Sequence, residues 1–144
     1  MRNDDGSAAL EFITVGLIML VPLVYLVVTL GIIQRQSLGV EAAARHTARA
    51  ISQAPDAATA LQRSDTILAN IVDEYGLDPD TVEVSLSCEP RDADCPSAGT
   101  IVSITIRAHV ALPLVPPVLG LDTSTAIPVE ASAVQKISRL WGQE

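Results

Sequence analysis

The longest apolar run of the chain extends from Phe12 to Ile33 and contains no side chain that is charged at neutral pH. Roughly 20 apolar residues are enough for a helix to cross a bilayer. One carboxylate, Glu11, lies directly before the run, in the sequence DDGSAALEF. Insertion of a charged side chain into the bilayer costs about 2.5–3.5 kcal/mol at mid-membrane and less near the interface. The run predicts a membrane-spanning helix, and Glu11 requires an explanation of its own.

Composition limits the classes of function. The chain has 144 residues and a net charge of −8. Nucleic-acid binding requires clustered Lys and Arg. Because this chain is acidic overall, we expect no nucleic acid as a partner. Outside the apolar run, the chain is long enough for one small globular domain with a modest core. We expect a single-pass membrane-anchored protein.

Periodicity predicts an α+β fold, with a long N-terminal transmembrane helix, a second amphipathic helix and a small antiparallel sheet of about three strands. We place the long helix at 7–54, with its transmembrane segment at 12–33, and the globular head at 55–144. Gly31 and Gly39 are expected to weaken the long helix locally.

The second helix is predicted from Asp56, its N-cap, to Gly76, its stop signal. Its apolar residues recur at three- and four-residue spacing and are Leu61, Leu68, Ile71, Val72 and Tyr75.

Three segments alternate with the period of β-strands. In the first, the apolar positions Val82, Val84, Leu86 and Cys88 alternate with polar residues, which indicates a half-buried strand. The second strand places Val102, Ile104, Ile106, Ala108, Val110 and Leu112 on one face, and it should pair with the first as an antiparallel hairpin. A third candidate runs from Thr125 to about Ile137 and contains Pro128, which suits an edge strand.

The two cysteines, Cys88 and Cys95, enclose the short charged loop EPRDAD and are well placed to form a disulfide. Disulfides persist mainly outside the cytoplasm, so this pair favours an extracytoplasmic head. The alternative is two free thiols in a reducing compartment. A metal site is less favoured, since zinc takes about four ligands and the only histidines, His46 and His109, lie in unrelated segments.

The sequence contains no catalytic signature: it has no phosphate-binding glycine loop, no HExxH and no paired cysteine motif of metal spacing. His46 lies on an alanine-rich helix and His109 on the polar side of a strand, where solvated positions explain both. We expect no catalytic residues, no cofactor and no enzymatic activity.

An apolar, proline-rich loop, PLVPPVLGLDTS, connects the second and third strands. Exposed apolar patches tend to mark contacts. One interpretation is that the loop covers the domain's own core or the long helix. The other is a partner surface formed by Leu114, Val115, Pro116, Pro117, Val118 and Leu119.

Two interpretations of Glu11 remain open at this point. It can simply mark the interface where the membrane helix begins. Alternatively, cleavage between Gly6 and Ser7 leaves a new α-amine one helical turn before Glu11, about 6 Å along the axis. The amine of one chain can then neutralise the acid of a neighbouring chain that is displaced by that distance. Gly16 offers a small residue for close helix packing.

The motif GSAALEF, followed directly by a long apolar helix, resembles the processing site of type IV pilin-like proteins. The Glu11–Phe12 pair and the downstream ARHTARA stretch are similar to TadE-like minor pilins, or pseudopilins, of the Flp/Tad system. The resemblance covers about Asp5 to Ala50, and ALPLVPPVLGLDTSTAIPVEASAV also looks like the family's hydrophobic turn and last strand.

The resemblance implies a 1–6 leader that a prepilin peptidase removes after Gly6, with Glu11 as the assembly acid. It also implies a protein of the bacterial cytoplasmic membrane whose head is extracytoplasmic. Its implied partners are other pilin-like subunits and the pilus assembly platform. The protein is then either part of a surface pilus or a membrane subunit needed for its assembly, and the implied role of the pilus is cell adhesion. The leader MRNDD has only one basic residue, fewer than such leaders often carry.

Charge counting alone favours the opposite orientation. Arg35, Arg45 and Arg49 follow the apolar helix while only Arg2 precedes it, and positive charge is normally cytoplasmic. The cysteine pair and the resemblance favour an extracytoplasmic head, which we adopt. The alternative function is an uncleaved, signal-anchored binding protein of the cell envelope.

Overall fold

The computed structural model describes residues 5–91, 94–113 and 126–142, with side chains from residue 9 onward. The helices and strands are α1 (Asp5–Ser52), α2 (Ala57–Tyr75), a short 3₁₀ turn (Pro79–Thr81), β1 (Glu83–Glu89), β2 (Ile101–Val110) and β3 (Ile127–Lys136). The strands form one antiparallel sheet in the order β1-β2-β3. The predicted α+β fold is confirmed, and Pro128 lies on an edge strand as expected.

The chain divides into two compact units, Met1–Ile33 and Gln34–Glu144, and the division falls within α1. In the second unit, the remainder of α1 supplies one wall of the hydrophobic core. Its buried side chains are mostly small: Val40, Ala43, Ala44, Ala48 and Ile51. Because these side chains pack in one cluster with the sheet, the compact head begins at Gln34 and not only after the long helix has ended.

The central strand β2 forms the opposite wall of the core. Five alternating side chains of β2 are 0–1% exposed: Val102, Ile104, Ile106, Ala108 and Val110. This is the face that the sequence predicts. Leu112, predicted to continue it, lies beyond the end of the strand at Val110 and is half-buried.

The strand β1 is confirmed, but its expected burial is largely wrong. Val84 and Leu86 pair with Ile106 and Ile104 and so lie on the core-facing side of the sheet, yet they remain 46% and 36% exposed. Only Cys88 is buried in this strand. Alternation identifies which side faces the core, whereas burial depends on what covers the strand.

Both predicted ends of α2 are confirmed. The Asp56 carboxylate accepts a hydrogen bond from the Thr59 backbone N–H at 2.7 Å, which satisfies one of the unpaired donors of the first turn. Gly76 adopts φ 67°, a left-handed conformation that glycine adopts without strain. The Leu77 N–H then donates to the Val72 carbonyl at 2.9 Å, and the Leu77 side chain is buried.

The end of α2 is fixed to α1 by contacts that involve Gly39, Arg35 and Gln36. A β-carbon on Gly39 would lie 2.6 Å from the Tyr75 Cβ, so only glycine allows this approach. The Arg35 guanidinium donates to the Glu74 carbonyl at 2.6 Å, and the Gln36 amide donates to the Gly76 carbonyl at 2.7 Å. These side chains satisfy carbonyls that the helix end leaves unpaired, and the arginine also complements the helix dipole.

We predict that Gly39→Ala destabilises the head by about 1–3 kcal/mol, because the added methyl group clashes with the Cβ of Tyr75. The matched control is Gly31→Ala, where nothing lies within 4 Å of the added group and the higher helix propensity of alanine makes the change neutral or favourable. Denaturant unfolding of the detergent-solubilised chain measures both. Equal stability of the two variants contradicts the close contact.

The N-cap predicts a pH dependence of stability. Hydrogen bonds from Thr59, first from its backbone N–H and then from its hydroxyl, lower the pKa of Asp56 below its ordinary value of 3.8. The stabilisation is therefore complete above about pH 4 and is lost as the pH falls through the lower folded pKa.

Asp56→Asn keeps the acceptor oxygen without the titration, so it should retain the melting temperature at pH 7 and lose this component of the acid sensitivity. Asp56→Ala should melt earlier at pH 7, because the cap is lost. Thermal melts followed by circular dichroism between pH 7 and pH 3 measure both. An Asp56→Ala protein that melts like wild type at pH 7 would show that the cap does not contribute.

Candidate functional site

The predicted processing site and the predicted assembly acid belong to the same helix. Gly6, Ser7 and Glu11 all lie within α1, so residues 7 and 11 are one helical turn, or about 6 Å, apart along the axis. Glu11 is exposed, as are its neighbours Leu10 and Phe12. The acid is thus accessible to another molecule at the beginning of the apolar run.

The first part of α1 presents an extensive apolar surface, although Tyr25 is half-buried and Thr29 is buried near its end. Phe12 and the aliphatic side chains between Leu10 and Leu30 are 48–80% exposed. Among the described residues, α1 is the one helix that is long and apolar enough to cross a membrane by length and composition. Exposed apolar surface of this extent marks a site that another apolar phase or protein covers.

Small and hydroxyl side chains interrupt this surface near its beginning. Gly16 has nothing within 4 Å of the position where a β-carbon would lie. Thr14 donates its hydroxyl hydrogen to the Leu10 carbonyl at 2.7 Å, so its polar group is satisfied within the helix. Another helix can therefore approach closely at Gly16 without burying an unpaired hydroxyl of Thr14.

Cys88 and Cys95 form a disulfide, with their Cα atoms 5.6 Å apart. Cys88 is 7% exposed and belongs to the core cluster at the end of β1, whereas Cys95 lies in the exposed loop. The bridge therefore ties the loop to the core. The predicted pairing of the two cysteines is confirmed.

The two histidines lie on different elements of the head. His46 is on α1 and His109 is on β2, where its backbone N–H donates to the Thr81 hydroxyl. The described residues contain no group of three or more His, Cys, Asp or Glu side chains that could hold a metal ion. These histidines therefore do not share a site.

A charged cluster on the outer face of the sheet was missed by sequence reasoning. Arg107 donates from Nε to the Glu130 carboxylate at 2.6 Å, and Glu83 lies opposite Arg107 on β1. The hydrogen bond to Glu130 and the charges of both acids raise the pKa of Arg107. Alternation places all three on one face, but their pairing depends on the strand register. Exposed pairs of this kind contribute little stability.

The predicted partner surface in the proline-rich loop, Leu114, Val115, Pro116, Pro117, Val118 and Leu119, lies outside the described residues. It stays a prediction.

Comparison of the chain with protein-family models, curated proteins and solved structures gives no match. A functional proposal therefore rests on the residues themselves and on the motif that they resemble.

We predict that reduction of the disulfide destabilises the head by about 2.5 kcal/mol, the loop-closure value for a loop of this length. The control is Cys95→Ser, which removes the bridge without adding a polar group to the core, since Cys95 is exposed. Reductant should lower the unfolding midpoint of the wild type and leave that of Cys95→Ser unchanged.

The oxidation state of the same disulfide indicates whether the head lies in an oxidising compartment. In native envelopes, Cys88 and Cys95 should resist alkylation until reductant is added. Free labelling before reduction contradicts an oxidising location of the head.

Proposed function

We propose that this chain is a minor pilin-like, or pseudopilin, subunit that is required for assembly of a Flp/Tad-type pilus and is processed after Gly6 by a prepilin peptidase. The observation that carries the proposal is Glu11, an exposed acid at the beginning of an exposed apolar helix, one turn after the Gly6–Ser7 bond. It acts as a structural subunit and not as an enzyme.

The proposed location is the bacterial cytoplasmic membrane. A bilayer is the surrounding that best suits the apolar part of α1, since its aliphatic side chains from Leu10 to Leu30 are exposed. The disulfide supports an extracytoplasmic head, because such bridges persist in oxidising compartments. The chain then crosses the membrane once, with residues 34–142 outside the cytoplasm.

Processing creates the group that Glu11 requires. Hydrolysis of the Gly6–Ser7 bond leaves a carboxylate on the leader and an α-amine on Ser7, and this amine is mostly protonated at pH 7. A neighbouring pilin-like subunit, displaced by about one helical turn, can set its own N-terminal amine against Glu11. In an apolar surrounding the pair costs far less than either charge alone. Glu11 is thus the acid that selects a processed partner in register.

The first test is the N-terminus of the native protein. Mass spectrometry of the protein purified from its own membranes should show a chain that begins at Ser7. Gly6→Ile should retain the leader, because a branched side chain replaces the glycine at the cleavage site. A wild-type protein that keeps residues 1–6 contradicts processing and favours an uncleaved, signal-anchored binding protein of the envelope.

Substitution of Glu11 separates the pilin-like function from the anchored binding protein. Glu11→Ala should insert into the membrane at wild-type level and lower the yield of assembled pili at least about tenfold, since one unpaired charge costs more than 1.4 kcal/mol. Glu11→Asp, which keeps the charge, should restore part of the yield. Pilus yield is measured by shearing and quantification of surface filaments. Wild-type assembly by Glu11→Ala contradicts the role of the acid.

A further inference from the structure

An open cavity of about 670 Å³ lies where the end of α1, the first half of α2 and the segment after β3 meet. Its lining comes from residues 52–55 at the end of α1, Arg63 of α2, and residues 138 and 140–142 after β3. All of these residues belong to the head. Small-molecule sites usually measure about 300–1,000 Å³, so the cavity is large enough to hold a small ligand.

Buried residues hold each wall of the cavity in place. The α1 wall is anchored by Ile51 and Ala54, and the α2 wall is anchored by Ala60, all three of which belong to the core cluster. The wall after β3 is anchored by Ile137, which is buried and whose N–H donates to the Thr100 carbonyl at 2.8 Å. Because core residues fix all three walls, the cavity is formed before any ligand binds, as is usual for small-molecule sites.

The described lining of the cavity contains one cation and no acid, although the chain carries 17 acidic residues. The cation is Arg63, which is exposed and makes no ion pair with any described residue. The pKa of Asp56 is lowered mainly by Thr59 and least by Arg63, and both carboxylate oxygens of Asp56 already accept hydrogen bonds from Thr59. The guanidinium of Arg63 is therefore available to bind a carboxylate with two parallel hydrogen bonds.

Trp141 gives the cavity an apolar surface. The indole lines the cavity, but its Nε1 atom is buried and has no hydrogen-bond partner among the described residues. The part of the indole that reaches the cavity is therefore carbon. Aromatic carbon surface is negative over the face of the ring, and it attracts weakly positive C–H groups.

Three polar side chains complete the lining that a ligand can use. The Ser52 hydroxyl donates to the Arg49 carbonyl at 2.9 Å, so its lone pairs can accept a hydrogen bond. The Ser138 hydroxyl accepts the Leu140 N–H at 3.2 Å, so its own hydrogen can be donated. The exposed amide of Gln53 offers both donors and an acceptor. The cavity thus combines a cation, a carbon surface and groups that exchange hydrogen bonds with hydroxyls.

We propose that this cavity binds an acidic sugar, namely one hexuronic acid unit of a polysaccharide. The carboxylate of the sugar pairs with Arg63. The C–H face of the sugar ring packs on the carbon surface of Trp141. The sugar hydroxyls exchange hydrogen bonds with Ser52, Gln53 and Ser138.

The combination of groups favours an acidic sugar over simpler ligands. Acetate or phosphate uses Arg63 and leaves the carbon surface of Trp141 in water. A neutral sugar uses the carbon surface and leaves Arg63 unpaired. Because the cavity is open, the neighbouring units of a polysaccharide can remain outside it. This inference concerns the head alone and does not rest on cleavage after Gly6 or on the role of Glu11.

The position of the cavity within the head suits a polymeric ligand. The head begins at Gln34, and the cavity lies at Ser52, about 27 Å further along α1. The cavity is therefore at the opposite end of this part of α1 from the residue that joins the head to the apolar run. A ligand can reach it without passing the connection to that run.

Titration of the full chain with an oligomer of galacturonic acid tests the proposal. Trp141 is the only tryptophan of the chain, so a change of its fluorescence reports binding at the cavity. Equilibrium dialysis measures the same affinity independently of fluorescence. The protein is kept in a detergent whose headgroup is not a sugar.

We expect saturable binding of the acidic oligomer together with a change of the Trp141 emission. Binding of a galactose oligomer of the same length, and of acetate, should be weaker at least about tenfold, because each lacks one of the two main contacts. Absence of binding in dialysis overturns the proposal. Equal affinity for the neutral oligomer or for acetate overturns it as well.

A pair of arginine variants tests the site. Arg63→Gln should weaken binding of the galacturonic acid oligomer at least about tenfold. The matched control is Arg139→Gln, which removes the same charge from an exposed position that does not line the cavity. At physiological salt, which screens exposed charges, this control should bind within about twofold of the wild type.

Both arginines are exposed, so the two variants should melt like the wild type. Equal weakening by the two variants indicates general attraction to positive charge and overturns the proposal. Wild-type affinity of Arg63→Gln places the ligand elsewhere on the chain and overturns it too.

Discussion

The small-residue face of α1 determines how closely the helix and the sheet of the head can pack, and the other contacts of the head depend on this. Ala43, Ala44 and Ala48 are fully buried in one cluster with the central strand. Larger side chains there would separate the two layers, because protein interiors have no spare volume. Gly39 continues the same row of small residues one turn earlier and admits Tyr75 of α2. The helix α1 thus packs against both the sheet and α2.

The elements that depend on neighbouring residues could be predicted from the sequence. The cap at Asp56, the stop at Gly76 and the alternation of β2 are local patterns, and the structure has them where the sequence places them. The disulfide is also nearly local, because its loop is short. The contacts of Gly39 and Arg35 depend on residues about 40 positions away, which no local pattern specifies. The exposure of β1 is missed for the same reason, since it depends on which strands the helices cover.

Two of the arginines that follow the apolar run have structural roles in the head. Arg35 donates to the Glu74 carbonyl at the end of α2, and Arg45 pairs with Glu41 on α1. The positive-inside rule counts arginines close to the ends of a membrane helix, so both still contribute to it. Charge counting and the disulfide therefore favour opposite orientations of the head.

A sheet with two open edges is normally protected against pairing by charges, prolines and short strands. Here each edge has its own protection. Pro128 has no N–H to donate near the start of β3, and Lys136 places a charge at the end of that strand. On the other edge, β1 has only seven residues and carries Glu83 and Glu89 at its two ends. Val84 and Leu86 of β1 are 46% and 36% exposed, so the short length of β1 and the charges at its ends are what oppose edge-to-edge pairing there.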